Sequence, residues 1–216
     1  RETLQHNGQL RAIAQKLEKK IKSDLLKMLE DDREAYEGFF KDFGRGIKYG
    51  IYSSYGMDAD KLSDLLLFYS ATEKRMITLA EYLEKAAEEQ KSIYYAVGES
   101  VDRLAKMPIV KTVMAKGYDV LLCTQDVDEF CMMSMNSFDE RPLKNVAGGD
   151  LDLETEDEKE AAEAITKENE GLFNAMKEAL DGAVTRVAVS TRLSDTPAAV
   201  TTEGPISLEM ERMMAM

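Results

Sequence analysis

The sequence predicts a mixed fold, α+β with an α/β portion: long helices, then a small three-layer α/β/α unit, then a separate small α+β module. Three observations predict it. Apolar residues recur at helical spacing through the first ninety residues; β-branched and aromatic runs alternate with capped helices from Ser92 to Ala147; an acidic stretch then precedes another helix and two short alternating runs. The 216 residues, 44% of them apolar, suffice for one ordinary core or two small ones, since domains of roughly 100–150 residues are commonest.

Leu10, Ile13, Leu17, Ile21, Leu25, Met28 and Leu29 stand three or four apart, on one stripe of a long amphipathic helix. After Asp31 and Asp32 a second helix carries Tyr36, Phe39, Phe40 and Phe43 on one face, and Gly44, Gly46 and Gly50 predict that it frays or bends. Asp58 or Asp60 caps a third helix with Leu62, Leu65 and Leu66 inward, and Thr78 caps a fourth with Leu79, Tyr82 and Leu83. The first ninety residues are therefore expected to be nearly all helix.

Ser92 to Val97 then reads as a buried strand broken by Gly98, with Ser100 capping a short helix and Pro108 opening another that ends at Gly117. Tyr118 to Cys123 and Arg141 to Ala147 read as two further strands, with a helix capped by Asp126 between them. Strands alternating with helices predict a parallel arrangement. Residues 150–170 hold ten Asp or Glu against Lys159 and Lys167 and mark a boundary. The organisation expected is a first unit over 1–149, divided into a helical segment over 1–89 and the α/β/α unit over 90–149, followed by a second over 150–216. In the second a helix from Glu156 to Leu180 stops at Gly182, strands near Val187–Val189 and Ala198–Thr202 pair, and Ser207 caps a final helix.

The formal charge of −13 argues against nucleic-acid binding, which needs a basic face. No apolar run approaches the roughly 20 residues that cross a bilayer, and no basic-then-apolar leader opens the chain, so a cytoplasmic protein with no membrane partner is expected. The chain begins at Arg1 without an initiator methionine and stops after a Met-rich stretch, and is read as a piece of a longer protein. Cys123 and Cys131 have no zinc-site spacing and are expected as reduced, partly buried thiols.

No autonomous active site is visible. His6 is the lone histidine, and no nucleophile occupies a strand-to-helix elbow. Gly98-Glu99-Ser100 lacks the further glycines that let a pyrophosphate approach the backbone, and Glu99 puts negative charge where a phosphate would sit. A nucleotide- or coenzyme-binding enzyme domain on residues 92–147 remains the alternative reading. Asp126, Asp128 and Glu129 crowd one helix start, and the helix dipole accounts for them without a metal. Of thirteen methionines, seven bunch, as Met132, Met133, Met135 and as Met210, Met213, Met214, Met216. Their flexible thioethers suit an adaptable binding surface, with core filling as the competing account. For the first cluster both stay open; the second is expected on the surface.

Six strings in order carry a resemblance: Arg1-Glu2-Thr3-Leu4-Gln5; Phe43-Gly44-Arg45-Gly46-Ile47-Lys48-Tyr49-Gly50-Ile51; Gln90 to Ser100; Asp126-Val127-Asp128-Glu129-Phe130; Asp195-Thr196-Pro197-Ala198-Ala199; and Met210-Glu211-Arg212-Met213-Met214. Together they resemble the ninety-kilodalton heat-shock chaperone family in its bacterial HtpG branch, over the distal middle domain and the start of the C-terminal domain. The resemblance implies a stress-response chaperone that is a homodimer, binds and remodels non-native client proteins, and binds ATP and Mg in an N-terminal domain. It implies that Arg1 reaches the terminal phosphate with Gln5 beside it, a role suited to a permanently charged guanidinium. It further implies client contacts at Glu129, Phe130 and Met133 and at Met210, Met213 and Met214. The region alone is then expected to hydrolyse no ATP, to carry no cofactor of its own and to be mostly monomeric.

Overall fold

The computed structural model describes residues 8–88, 90–148, 151, 156–189, 198 and 200. Helix α1 (Gly8–Asp31) divides its apolar stripe. Leu25, Leu26, Met28 and Leu29 pack against the core, whereas Leu10, Ile13, Leu17 and Ile21 are exposed.

Helix α2 (Arg33–Ser53) starts where the Asp32 carboxylate accepts the Ala35 N–H. It runs unbroken through Gly44, Gly46 and Gly50, against the expected bend. Each glycine costs about 1 kcal/mol relative to alanine, but the helix buries Tyr36, Phe40, Gly44, Lys48 and Ile51 along one line, and that packing outweighs the propensity. Gly44 has a specific use, because a β-carbon there would stand 2.6 Å from the Phe40 ring that folds over it. Phe43 is exposed and stacks on Phe39, so it is not an inner-face residue.

The expected third helix is one turn, α3 (Ala59–Leu62), followed by a 3-10 turn at Ser63–Leu65. The chain then extends into a hairpin that sequence patterning does not reveal, β1 (Phe68–Ser70) against β2 (Met76–Ile77). Leu65 to Phe68 are four successive buried apolar residues, and such a run carries no period that separates strand from buried helix. Helix α4 (Leu79–Glu84) opens with a capping box: Thr78 Oγ1 accepts the Glu81 N–H at 3.1 Å, and Glu81 Oε2 accepts the Thr78 N–H at 2.7 Å. Arg33 donates to Glu81 and to the Met76 carbonyl, both at 2.9 Å, which ties α2 to this corner.

Strand β3 (Ile93–Val97) is followed by α5 (Val101–Leu104, capped by Ser100) and α6 (Pro108–Ala115), which ends before Gly117 at φ +87°. Then come β4 (Leu121–Cys123), α7 (Asp128–Met135), β5 (Ser137–Phe138) and β6 (Arg141–Asn145). The sheet order is β2-β1-β4-β3-β6-β5. Strand β3 is parallel to both β4 and β6, as expected for the three strands read from sequence, and the outer pairings are antiparallel. Alternate side chains feed two cores. Ile93, Tyr95, Leu121 and Cys123 meet Tyr36, Phe40, Cys131 and Met132 on one face. Tyr94, Ala96 and Leu122 meet Leu104, Val110 and Val113 on the other.

The helix expected over 156–180 is two, α8 (Glu156–Glu168) and α9 (Glu170–Ala179). Asn169 separates them, at φ −105° and ψ 21°, with its side-chain amide donating to the Ile165 carbonyl; short amides compete with the helical ladder in this way. Asp181 and Gly182 have positive φ and stop α9. Residues 187–189 form no strand, and the Val189 N–H instead donates to Thr166 Oγ1. Ala198 and Val200 are also outside any strand, and the rest of 198–202, like the Ser207 helix, lies outside the described residues.

Candidate functional site

Helix α2 with the turn that follows it, and α7 with the residues that precede it, are joined by four contacts that advance together along both segments. Arg45 Nη2 lies 2.6 Å from Asp126 Oδ2 at the solvent-exposed end. Next, Lys48 Nζ lies 2.6 Å from Asp128 Oδ1, with both side chains buried. The Tyr52 and Phe130 rings then approach to 5.1 Å between centroids. Gly56, at φ +80°, closes the series by packing its α-carbon on the Ser134 carbonyl, which any β-carbon would strike.

The buried rung is the most constrained. Lys48 Nζ also donates to Gln125 Oε1 at 3.0 Å and sits 4.6 Å from the Phe68 ring centroid and 5.4 Å from that of Phe40, a desolvated cation over two π faces. Asp128 Oδ2 accepts the Gln125 N–H at 3.0 Å. Asp128 therefore does more than answer the helix dipole: it is the partner of a buried ammonium. Asp126 is not the expected cap either. Val127 is the N-cap residue, without a side-chain bond, and Asp126 is held outward by Arg45.

Of the residues expected to contact clients, Glu129 is buried. It is 2% exposed, its carboxylate turned inward with Asn145 Nδ2 3.4 Å away. Phe130 and Met133 are half-buried and neighbour each other one turn apart on the outer side of α7. The first methionine cluster resolves both ways, since Met132 and Met135 are in the core and Met133 is not. Arg1, Gln5, Met210, Met213 and Met214 lie outside the described residues.

The surface is wider than the expected contact residues alone. Tyr49 and Tyr52 pack edge to face at 5.9 Å, and Tyr49, Tyr55 and Met57 are 58, 87 and 78% exposed, far above what apolar side chains with a core role show. The available signal is the spacing of Tyr49, Tyr52 and Tyr55 at the end of α2 and just past it, three apart and off the line of buried residues.

The thiols beneath this surface are unreactive in character. Burial drives the Cys123 thiol well above its ordinary range and pushes Cys131 up to about 12, and both are free and buried. No group of three or more His, Cys, Asp or Glu among the described residues is placed to hold a metal ion. Among the same residues no helix is long and apolar enough to cross a membrane. At the strand-to-helix turn of the alternative enzyme reading, the Gly98 N–H donates to the Cys123 carbonyl, the helix has four residues, and Glu99 is bound by Arg103.

A helical platform beside a mixed sheet thus carries rings and a thioether on its outer side over a buried Lys48–Asp128 pair. The chain belongs to the Hsp90 protein family, whose sequence model matches residues 1–216. It is similar to proteins called "Chaperone protein HtpG": 48% identical to that of Clostridium perfringens over 215 residues, all of this chain and 34% of the relative. The counterpart in Oceanobacillus iheyensis is 48% identical over 214 residues, 99% of this chain and 34% of the relative. That of Clostridium acetobutylicum is 47% identical over 216 residues, with 100% and 34% covered. The chain thus spans about a third of the length of these relatives.

Proposed function

We propose that this region holds non-native polypeptides for an ATP-driven, homodimeric, cytoplasmic chaperone, on the outer surface of α2 and α7 around Phe130 and Met133. The observation that carries the reading is the Tyr52–Phe130 contact: an aromatic pair half open to solvent, next along α2 and α7 from a buried ion pair and continued by exposed Tyr49, Tyr55 and Met57. Aromatic and methionine side chains supply large, adaptable apolar area at low entropic cost, which suits weak and broad recognition. Kinship with the HtpG proteins supports the same reading, since they are named chaperones.

Met210, Met213 and Met214 form the second half of the grip in this proposal; the latter two stand three and four residues after the first, the spacing of one helical face. Arg1 and Gln5 contribute to ATP bound, with Mg, by another domain: the guanidinium engages the terminal phosphate through two donors, and Gln5 adds a neutral polar contact. The region itself hydrolyses nothing. In the intact protein, Phe130→Ser/Met210→Ser/Met214→Ser is expected to abolish suppression of aggregation of an unfolded model protein while leaving ATP turnover intact. Full suppression by the triple variant rejects the surface. Arg1→Ala is expected to lower ATP turnover and spare holding; unchanged turnover rejects that role.

A further inference from the structure

The six-stranded sheet ends in two short strands, β2 at one edge and β5 at the other, and the two edges differ. We propose that the open edge of β5 is a strand-addition site for an extended, basic segment of a non-native polypeptide; the proposal rests on the reading of the neighbouring α7 surface as a polypeptide contact and names the kind of segment it takes.

In an antiparallel pair, residues alternate between exchanging both backbone bonds with the partner strand and turning both groups away from it. The Asn136 carbonyl accepts the Leu143 N–H at 2.9 Å, and Ser137, the next residue, stands opposite Pro142. The Ser137 N–H and C=O therefore point out of the sheet, where the residue is exposed and no further strand follows among the described residues. Met76 holds the equivalent place on β2, since the Ser70 N–H donates to the Arg75 carbonyl and Met76 stands opposite Tyr69. There the outward carbonyl is already taken by Arg33 at 2.9 Å. Edge strands are commonly blunted by a lysine or a proline, and Ser137–Phe138 carries neither. One outward donor and one outward acceptor make a small site, so binding is shared with Phe130 and Met133.

Backbone groups recognise an extended chain whatever its sequence, and the side chains beside them supply preference. Asp139 and Glu140 form the two-residue turn between β5 and β6, both exposed and both at positive φ, 48° and 62°. Neither is in an ion pair among the described residues. Such a turn favours Asn-Gly, so the two carboxylates stand where the backbone does not call for them. They complement lysine or arginine on an added strand, whereas a second copy of a chain with a formal charge of −13 is repelled. Asn136, at φ 59°, turns the chain from α7 directly into β5. Ser137 stands four positions after Met133, so an extended segment of about five residues spans both.

The test uses the intact protein and two alternating octapeptides, one of valine and lysine, the other of valine and glutamate, with hydrogen exchange read at single residues. The valine–lysine peptide is expected to slow exchange of the Ser137 amide about tenfold, because strand addition takes up that N–H and side-chain contact alone leaves it free. At low salt it is expected to bind roughly fivefold more tightly than the valine–glutamate peptide. Asp139→Asn/Glu140→Gly gives the turn its favoured residues and removes both charges, so this variant is expected to melt no lower than the parent while binding the two peptides alike. Unchanged exchange at Ser137 under saturating valine–lysine peptide overturns the proposal, as does a preference for that peptide that survives in the variant. Exchange at Ser137 that slows with protein concentration in the absence of peptide means that a second copy holds the edge, and overturns it too. Phe130→Ser separates the two claims. Holding intact in that variant sinks the surface reading, and Ser137 exchange under peptide then decides the edge alone; holding lost there, with Ser137 exchange in the parent unaltered by peptide, sinks the edge and leaves the surface.

Discussion

Lys48 and Asp128 face each other at 2.6 Å with 3% of each side chain exposed, one in the C-terminal third of α2 and the other at the first residue of α7. Two charges removed from water in this way are worth little as a pair against an apolar replacement, but each is expensive without the other.

Lys48→Ala leaves the Asp128 carboxylate buried and unpaired. The expected loss is about 3–5 kcal/mol in urea unfolding. A loss under about 1 kcal/mol would mean that water reaches Asp128 in solution.

Gly56→Ala tests the closing contact between the end of α2 and α7. The site needs φ +80° and leaves no room against the Ser134 carbonyl, so a destabilisation above about 1 kcal/mol is expected. Calorimetry of the variant reads it directly, and an unshifted melting temperature counts against the packing described.

Tyr52 and Phe130 should be energetically coupled. A double-mutant cycle with Tyr52→Ala and Phe130→Ala is expected to give about 0.5–1.5 kcal/mol of interaction. Simple additivity would show the rings to be neighbours without mutual stabilisation.

Thr78→Ala removes one half of the capping box at α4 and is expected to cost about 1 kcal/mol. Hydrogen exchange should quicken at the Glu81 amide, whose acceptor is lost, and an unaltered exchange rate there would contradict the cap.

Alkaline pH should weaken the fold in a defined window. Cys131, ordinarily near 9.0, and Tyr36, ordinarily near 10.0, are both pushed up to about 12 by burial. Above the ordinary value the unfolded chain sheds these protons while the folded chain keeps them, so stability is full below pH 9 and falls as pH rises toward 12. Urea midpoints between those limits should decline, and less steeply in Cys131→Val. Parallel declines in both proteins would exclude the thiol as a source.

Strong local signals are legible in the sequence: Thr78, Ser100 and Pro108 start helices in the places their chemistry dictates, and the runs at 92–97, 118–123 and 141–147 contain β3, β4 and β6. The hairpin β1–β2 is not legible because Leu65–Phe68 lacks alternation, and the length of α2 is not because glycine propensity says nothing of the core that holds Tyr36, Phe40 and Ile51. The resemblance is what points to Phe130 and Met133, which are half-buried, and it points equally to Glu129, which is buried. Whether a carboxylate at a helix start points to water or to Asn145 is settled by what lies sixteen residues further on, which periodicity does not encode.

Strand β3 has one further consequence, for the order of events at the ribosome. Its two flanking neighbours are both later in the chain: Tyr95 lies beside Leu121 on one side, and Ile93 beside Leu143 on the other. As the polypeptide emerges, Ile93 to Val97 wait first for β4 on one edge and then, with the other edge still open, for β6, so the sheet closes late and by long-range pairing. A nascent chain halted before Leu143 therefore presents a bare, sticky strand edge.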